Sequence, residues 1–189
     1  MALMVELESL LVNTRLPMSR RRLNVLKEGD TYYRGAACGL VRHRFTANFC
    51  FSRNLKKKKY TDLFEKAAKL CNDTLLDFRF TTIQFNQSYK MAKHLDARNT
   101  GVSYIIGFGD YTGGELLIYY DGPNEPPTPV DIKHLFFSFD GSKYYHEVAE
   151  FTGTRITLVY YSCLPEDVSG YLIHGVRQPP GTKGRQFQF

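Results

Sequence analysis

The stretch 89–122, "YKMAKHLDARNTGVSYIIGFGDYTGGELLIYYDG", combines two candidate metal ligands with an apolar, glycine-punctuated pattern. His94 and Asp96 stand one residue apart near its start. Residues separated by one position on a strand point to the same face of the sheet, so both side chains can enter one cavity. The stretch therefore predicts a metal site at the end of a strand, with a third ligand supplied by a neighbouring strand.

His146 is the histidine that best fits the third position. It follows the strand-like run "LFFSF" and the turn "DGSK", where the chain is predicted to double back. The other histidines lie before that run or outside the strand-rich region: His43, His134 and His174. Two histidines and one carboxylate form the facial triad that holds non-haem Fe(II) and leaves positions open. The set His94, Asp96 and His146 hence predicts an Fe(II) site that is open to dioxygen and a co-substrate.

Arg155 opens the last strongly apolar run, "RITLVYY". An open iron site needs an electron source, and the usual one, 2-oxoglutarate, carries a distal carboxylate that requires a cation. The planar fork of arginine pairs with a carboxylate through two charge-assisted hydrogen bonds. Thr157 lies two residues further along the strand and faces the same way, so its hydroxyl can serve the same carboxylate. Arg155 and Thr157 are therefore predicted to bind 2-oxoglutarate.

The remaining pattern predicts a mainly β protein with flanking helices. Leu63, Ala67, Leu70 and Leu75 recur near helical spacing, and Asp62 with Glu65 resembles a capping box. Five strand-like runs follow, separated by glycine, proline and asparagine: "FTTIQF", "GVSYIIGFG", "GELLIYY", "HLFFSF" and "RITLVYY". So many strands without intervening helices indicate an antiparallel sandwich or jelly roll.

The length of 189 residues predicts one domain spanning 1–189. Its parts would be supporting strands and a helix in 1–79, a jelly-roll core in 80–163 and a basic tail in 164–189. The four cysteines form no CxxC pair, which argues against a zinc ribbon. No signal peptide or membrane-spanning run stands out, so an intracellular location, nuclear or cytoplasmic, without a membrane partner is expected.

The formal net charge of +6 and the sequence pI of about 9.1 make a polyanionic partner plausible. Two basic runs are candidate contacts to DNA or RNA: Arg20, Arg21 and Arg22, and Lys56, Lys57, Lys58 and Lys59. The alternative, that these side chains are only solvated surface, fits the sequence equally well.

Four segments, "HLD", "GDYTGGEL", "FDGSKYYHEV" and "FTGTRITLVYY", resemble the core of Fe(II)- and 2-oxoglutarate-dependent oxygenases. This resemblance covers roughly 80–163 and implies a double-stranded β-helix, the cupin-like jelly roll, and an oxidoreductase activity. It makes His94, Asp96 and His146 the iron ligands and Arg155 the oxoglutarate anchor. Asn86 would face the cavity near the co-substrate, and ascorbate would stimulate the reaction.

Within that superfamily the sequence is most similar to the TET/JBP branch, which oxidises the 5-methyl group of pyrimidines in nucleic acid. Asn99 and Gly101 match its Asn-x-Gly after the HxD pair, so Asn99 is a candidate substrate contact. AlkB-type demethylases carry a second arginine where this chain has Tyr161. Collagen-type prolyl hydroxylases share the TGGEL-like turn but generally use a lysine in the role of Arg155. The alternatives are a prolyl or lysyl hydroxylase and a non-catalytic nucleic-acid-binding jelly roll.

Overall fold

The computed structural model of the protein describes residues 2–19, 25–42, 49–97, 99–163, 172–173 and 176–177. Its helices are α1 (Ala2–Asn13), a 3₁₀ helix (Arg53–Lys56) and α2 (Lys58–Thr74). The strands are β1 (Met18–Ser19), β2 (Tyr33–Arg42), β3 (Phe49–Phe51), β4 (Thr82–Gln87), β5 (Thr100–Phe108), β6 (Tyr111–Gly113), β7 (Leu116–Tyr119), β8 (Thr128–Val130), β9 (Phe137–Phe139), β10 (Tyr145–Val148), β11 (Phe151–Gly153), β12 (Ile156–Ser162), β13 (Leu172–Ile173) and β14 (Val176–Arg177).

The strands form a large sheet and a smaller one. The large sheet has the order β1-β2-β4-β12-β5-β9, with β3 paired to β2, and the smaller sheet has the order β10-β7-β8. Two short pairs, β11 with β6 and β13 with β14, complete the described strands, and the pairings between them are antiparallel. This arrangement confirms the predicted mainly β jelly roll with flanking helices.

Short bridges widen the small sheet beyond β10. The backbone at His94 pairs with His146, and further back the backbone at Met91 pairs with Leu26. The amide of Val148 also donates to the carbonyl of Met91 at 3.1 Å. The segment that leads into the HxD pair is therefore held along β10, as the proximity of the two histidines requires.

Alternation along β12 divides the large sheet into a helix-facing side and a cavity-facing side. Ile156, Leu158 and Tyr160 are fully buried in the main core, whereas Val159 and Tyr161 line a cavity on the opposite face. Successive side chains on a strand point to opposite faces, which explains the division. The large sheet thus presents one face to the helices and the other to the candidate site.

The helices cover the outer face through the spacing that the sequence predicts for α2. The helix-facing residues of β12 share their core with four buried residues of α2: Leu63, Ala67, Leu70 and Cys71. The hydroxyl of Tyr160 donates to the carbonyl of Ala67 at 3.0 Å, which fixes the helix against the sheet. Between the two sheets lies a second apolar core that contains Ile105, Leu116, Ile118, Ile132 and Phe139.

Helix α2 begins earlier than the sequence suggests. Its first residue is Lys58, and its N-cap, Lys57, makes no side-chain capping hydrogen bond. The predicted capping box at Asp62 and Glu65 is therefore wrong, because the 3₁₀ helix leads the chain into the helical conformation one turn before it. The helix ends at Thr74, so Leu75 serves as its C-cap and not as an interior position.

Arg20, Arg21 and Arg22 lie outside the described residues, as does the tail 164–189 except for β13 and β14. Among the helices of the described part, none combines the length and the apolar character needed to cross a membrane.

Candidate metal and co-substrate site

The backbone brings His94 and His146 together. Each residue donates its amide to the carbonyl of the other at 3.0 Å. Directly opposed residues in an antiparallel pair place their side chains on the same face. The two imidazole rings accordingly lie with their centroids 4.3 Å apart. Two positions far apart in the sequence therefore share one side of the small sheet.

Asp96 completes a three-residue cluster with these histidines. One carboxylate oxygen, Oδ1, lies 3.6 Å from Nε2 of His94, and the other, Oδ2, lies 3.7 Å from Nε2 of His146. A set of ligand atoms, one from each residue, lies within 4.8 Å of one another. The three side chains that the sequence proposed as ligands are thus close enough to reach one ion.

Carbonyl groups select the tautomer of both rings. Nδ1 of His94 lies 2.8 Å from the carbonyl oxygen of Ala92, and Nδ1 of His146 lies 3.0 Å from that of Tyr144. Because a carbonyl only accepts, a neutral imidazole in this position carries its proton on Nδ1. Nε2 of each ring then presents its lone pair to the cluster, which is the orientation that a metal-ligating histidine needs.

Nε2 of His94 is buried and has no hydrogen-bonding partner among the described residues. A buried polar atom of this kind is uncommon in folded proteins and calls for a partner. Asn99 supports the neighbouring carboxylate, because its side-chain amide donates to Oδ2 of Asp96 at 3.0 Å. The unpaired nitrogen and the oriented carboxylate together fit a divalent metal ion.

Gly141 makes room for this cluster. The amide of Asp96 donates to its carbonyl at 2.8 Å, so the two backbones are in direct contact. A Cβ atom at Gly141 would lie 2.9 Å from Oδ2 of Asp96 and 3.2 Å from Cε1 of His146. In the sequence this glycine stands out only as part of the turn "DGSK". Its second function, to let two candidate ligands approach, is visible only once the chain is folded.

Gly141→Ala is expected to lower the affinity for a divalent metal by about 10- to 100-fold, the range seen when groups that orient ligands are disturbed. The reason is that the added methyl group displaces Asp96 or His146. Titration with Mn(II) or Co(II) would measure the loss. Gly122→Ala is the control: its φ of +131° strains an added side chain and should lower Tm, but a Cβ atom there meets nothing within 4 Å, so metal affinity should be unchanged. Equal affinities in the Gly141→Ala variant and the wild type would contradict the prediction.

Arg155 is buried just before β12, with 3% of its surface exposed. Its Nε donates to the carbonyl of Gly114 at 2.9 Å, whereas Nη2 has no partner in hydrogen-bonding geometry in the described structure. Burial lowers the pKa of the guanidinium to about 10, so the group is still charged at neutral pH. A buried cation with an unpaired donor is suited to receive a carboxylate from a ligand.

Gly114 of the "TGGEL" turn lies directly against this arginine. A Cβ atom there would be 2.8 Å from Cδ and 2.9 Å from Nε of Arg155, and the residue has a φ of +77°. Two adjacent glycines, Gly113 and Gly114, permit a tight backbone path in this turn. The positive φ values of both residues agree with that function, and Gly114 in addition provides space for the guanidinium.

Tyr111 is a member of the site that the sequence analysis missed. Its ring centroid lies 5.7 Å from Cζ of Arg155, and its hydroxyl is buried without a partner in hydrogen-bonding geometry among the described residues. Burial raises the pKa of this hydroxyl, so it remains a donor at neutral pH. The available signal was its place in "GDYTGGEL", which already carried the resemblance. Tyr111 and Arg155 interact electrostatically with each other and place two donor groups side by side.

Amide side chains continue the polar surface from Thr157. Nδ2 of Asn86 lies 3.3 Å from the hydroxyl oxygen of Thr157, and Nε2 of Gln84 lies 3.1 Å from Oδ1 of Asn86. All three residues are buried. Asn86 was predicted to face the cavity, and Gln84, which lies two residues earlier on the same face of β4, follows from the same alternation although it was not proposed.

A cavity of about 830 Å³ lies beside the metal cluster and the amide side chains, whereas Arg155, Tyr111 and Thr157 are not among its lining residues. Asp96 and His146 line it on one side, and Asn99, Gln84 and Asn86 continue its wall. Phe49 and Tyr161 also line this cavity. Asp96 is the only residue with an ionisable carboxylate, ammonium or guanidinium group among its lining residues in the described structure. The cavity therefore suits an uncharged group beside a metal ion.

The four lysines that were predicted to contact DNA or RNA lie outside this cavity. Lys56, Lys57, Lys58 and Lys59 are all exposed, at the junction of the 3₁₀ helix and α2. None of them lines the cavity. A role for this run in binding therefore concerns the surface of the protein and not its interior.

Comparison with known proteins supports the fold. No protein-family model and no curated protein matches the chain. Among solved structures, an oxidoreductase of the 2OG-Fe(II) oxygenase family from Burkholderia pseudomallei is 18% identical, with a TM-score of 0.54, over 84% of this chain and 77% of its own. NgTET1 in complex with 5mC DNA is 16% identical, with a TM-score of 0.50, over 68% of this chain and 60% of its own. A prolyl-4-hydroxylase from Pseudomonas putida also matches, at 14% identity and a TM-score of 0.45, over 87% and 85% of the two chains.

The likeness to the Burkholderia pseudomallei oxidoreductase of the 2OG-Fe(II) oxygenase family and to NgTET1 shows that this chain shares their fold. The chain spans 60% of the length of the NgTET1 chain. The cluster of His94, Asp96 and His146 is present in this chain and could hold a metal ion.

Proposed function

We propose that this protein is an Fe(II)- and 2-oxoglutarate-dependent dioxygenase that hydroxylates a C–H bond. His94, Asp96 and His146 would hold the metal, and Arg155 would bind the distal carboxylate of 2-oxoglutarate. The observation that carries the proposal is the buried Nε2 of His94, which lacks a described partner and lies 3.6 Å from the carboxylate of Asp96. A metal ion gives that nitrogen the partner it lacks.

Bound Fe(II) would couple two reactions: the oxidation of 2-oxoglutarate to succinate and carbon dioxide, and the hydroxylation of a substrate. The protein's own contribution is orientation. The carbonyls of Ala92 and Tyr144 hold both imidazoles as Nδ1–H tautomers, and Asn99 holds the carboxylate of Asp96. This arrangement fixes all three ligands before a metal arrives, which lowers the cost of binding.

The co-substrate site would consist of Arg155, Tyr111 and Thr157. Arg155 and Tyr111 each have a buried donor atom without a described partner, and a carboxylate can accept from both. Thr157 accepts from Asn86, which leaves its own hydroxyl proton available for a ligand. The hydrogen bonds from Gln84 to Asn86 and from Asn86 to Thr157 would orient that hydroxyl. Stimulation by ascorbate belongs to the same proposal, as the reductant that keeps the iron in its Fe(II) form.

The primary substrate we favour is a pyrimidine base in DNA or RNA, oxidised at its 5-methyl group. Two properties of the cavity support an uncharged planar group: its lining is neutral apart from Asp96, and Phe49 and Tyr161 offer aromatic surface. Amide groups at Gln84 and Asn86 could hydrogen-bond the polar edge of a base. Asn99, the predicted substrate contact, lines the cavity while its amide nitrogen donates to Asp96, so its first function would be support of the metal site.

Nucleoside mass spectrometry tests the substrate. DNA and RNA from cells that express the wild type should contain a hydroxymethylated pyrimidine that is absent with His94→Ala. The alternative is a prolyl or lysyl hydroxylase, which shares the TGGEL-like turn. If no nucleoside changes while the purified protein still forms succinate from 2-oxoglutarate, the nucleobase substrate is wrong and the search moves to protein substrates. Stoichiometric Fe(II) binding that depends on His94 would exclude the third reading, a jelly roll without a working metal site.

A further inference from the structure

Five cations lie together on the surface where the 3₁₀ helix meets α2. We define this basic ridge by its residues, which are all exposed: Arg53, Lys56, Lys57, Lys58 and Lys59. In the parts of the chain that the structure describes, the ridge makes no salt bridge. Two other lysines of α2 behave differently, since Lys66 pairs with Glu6 and Lys69 pairs with Asp73. The charge of the ridge is therefore not compensated by described neighbours.

The ridge lies at the helix end where cations are least favourable. A helix N-terminus carries a partial positive charge, so acidic residues are preferred in the first turn and Ser, Thr, Asp or Asn at the N-cap. Helix α2 has no acidic residue in its first turn, and its N-cap, Lys57, makes no side-chain capping bond. Local rules of this kind are broken mainly at functional positions.

Two of these charges lie near one buried ring. The Nζ atoms of Lys57 and Lys59 lie 6.0 and 4.8 Å from the ring centroid of Tyr60. Tyr60 itself is buried, with 3% of its surface exposed. The two ammonium groups are therefore at most about 11 Å apart, so one polyanionic strand can contact both.

The composition of this segment favours a hydrated polyanion over a lipid surface. Binding to a membrane interface uses exposed apolar side chains beside the cations. Here Tyr60 and Leu63 are buried and Leu55 packs against the main core. The large exposed apolar residues of the described structure lie elsewhere in the sequence. A phosphodiester backbone needs only the charges, which the ridge supplies.

The ridge is close to the cavity along the chain. Phe49 lines the cavity, and Arg53 follows it by four residues, so their Cα atoms are at most about 14 Å apart. Because the cavity is neutral apart from Asp96, it offers no cation to a phosphate. Phosphates would therefore have to be bound outside it, and in the described part of the chain the ridge is an uncompensated cationic surface close enough to do so.

We infer that the basic ridge binds the phosphodiester backbone of single-stranded nucleic acid. A single strand is favoured because its bases are already unpaired, so one can enter the cavity without the cost of opening a duplex. The inference deepens the proposed function by naming the surface that recruits its substrate. It does not require the metal, so it can be tested on protein without iron or 2-oxoglutarate.

Fluorescence anisotropy with a labelled 20-nucleotide oligothymidylate tests the inference on the full chain. Replacing Lys56, Lys57, Lys58 and Lys59 by glutamine should weaken binding at least tenfold at 100 mM salt. The slope of log K against log salt should also fall by about 3, because each lost phosphate contact to a single strand contributes about 0.7. The matched control, Lys66→Gln with Lys69→Gln, removes two charges from the same helix that already have acidic partners, and should change the affinity less than twofold.

Thermal unfolding supplies a second, independent readout. The quadruple variant should raise Tm by about 2–4 °C, because it removes cations from the helix N-terminus. Lys57→Ser should also raise Tm, since it introduces a capping side chain, while it lowers affinity no more than about threefold. A lower Tm in both variants would overturn the argument from helix electrostatics.

Two outcomes of the binding experiment would overturn the inference. One is an unchanged affinity and salt slope in the quadruple variant. The other is a wild type that fails to bind the oligonucleotide but binds vesicles of phosphatidylserine and phosphatidylcholine, which would assign the ridge to a membrane surface. Either result leaves the proposed function open, because succinate formation by the loaded enzyme is measured separately. If the wild-type protein binds the oligonucleotide but forms no succinate when loaded with Fe(II) and 2-oxoglutarate, only the proposed function is contradicted.

Discussion

Replacement of His146 by alanine is expected to abolish metal-dependent turnover, with succinate formation from 2-oxoglutarate reduced at least about 100-fold. The variant keeps the backbone hydrogen bonds that pair this position with His94 but loses one of the three candidate ligands. Asp96 and His94 alone would hold an ion much more weakly. Succinate can be quantified by mass spectrometry, and Co(II) titration followed by absorbance gives a readout of metal binding that does not depend on turnover.

His134→Asn is the matched control for this prediction. The side chain of His134 is 42% exposed and its Nε2 lies 2.9 Å from a carboxylate oxygen of Glu8, away from the cluster. Its φ is +58°, a conformation that asparagine tolerates better than alanine does. This variant should retain both metal affinity and turnover. Unimpaired succinate formation by His146→Ala would refute the assignment of the metal site.

Substituting methionine for Arg155 should raise the 2-oxoglutarate concentration needed for half-maximal turnover by about 100- to 1000-fold. This range corresponds to about 3–4 kcal/mol, the lower part of the roughly 3–5 kcal/mol lost when one member of a buried ion pair is removed. In the free protein the effect on stability should have the opposite sign. Burial holds the pKa of the guanidinium at about 10, below its ordinary value, so the folded state binds this proton less tightly than the unfolded state does. Removing the buried charge should therefore leave Tm unchanged or higher.

Thermal unfolding with and without 2-oxoglutarate separates the effect of Arg155→Met on ligand binding from its effect on the stability of the free protein. Wild-type protein loaded with metal should gain Tm from 2-oxoglutarate, whereas Arg155→Met should gain little at the same concentration. Arg155→Lys keeps a cation but loses the planar fork. The 2-oxoglutarate concentration that it needs for half-maximal turnover should therefore lie between those of the wild type and Arg155→Met. A methionine variant that saturates like the wild type would show that another group binds the distal carboxylate.

The spacing of two residues explains why much of the candidate site could be predicted from the sequence, although His94 makes only an isolated bridge and Asp96 lies outside the strands. His94 with Asp96, and Arg155 with Thr157, are each separated by one position, and the structure brings both pairs to the interior. Gln84 obeys the same rule but was overlooked, because an amide two residues before Asn86 has no distinctive chemistry of its own. The fold class followed from the number and spacing of apolar runs.

The features that the sequence did not predict depend on approaches between distant segments. Gly141 looks like any turn glycine until a side chain there would collide with Asp96. Tyr111 looks like a strand tyrosine until its hydroxyl is found buried near Arg155. The predicted start of α2 was wrong for a related reason. Propensity favours acidic residues in the first turn of a helix, whereas the preceding 3₁₀ helix brings lysines to the first turn of α2.

The bridge between His94 and His146 also has a consequence for folding. These residues are separated by about 50 positions, and two backbone hydrogen bonds join them outside the longer strand ladders. An ion held by both side chains would close that loop as a reversible cross-link, in the way that a disulfide restricts an unfolded chain. Amide hydrogen exchange at these two residues would then slow on metal addition more than exchange in β4 or β12. Metal supply would set the kinetic stability of the small sheet as well as the activity of the protein.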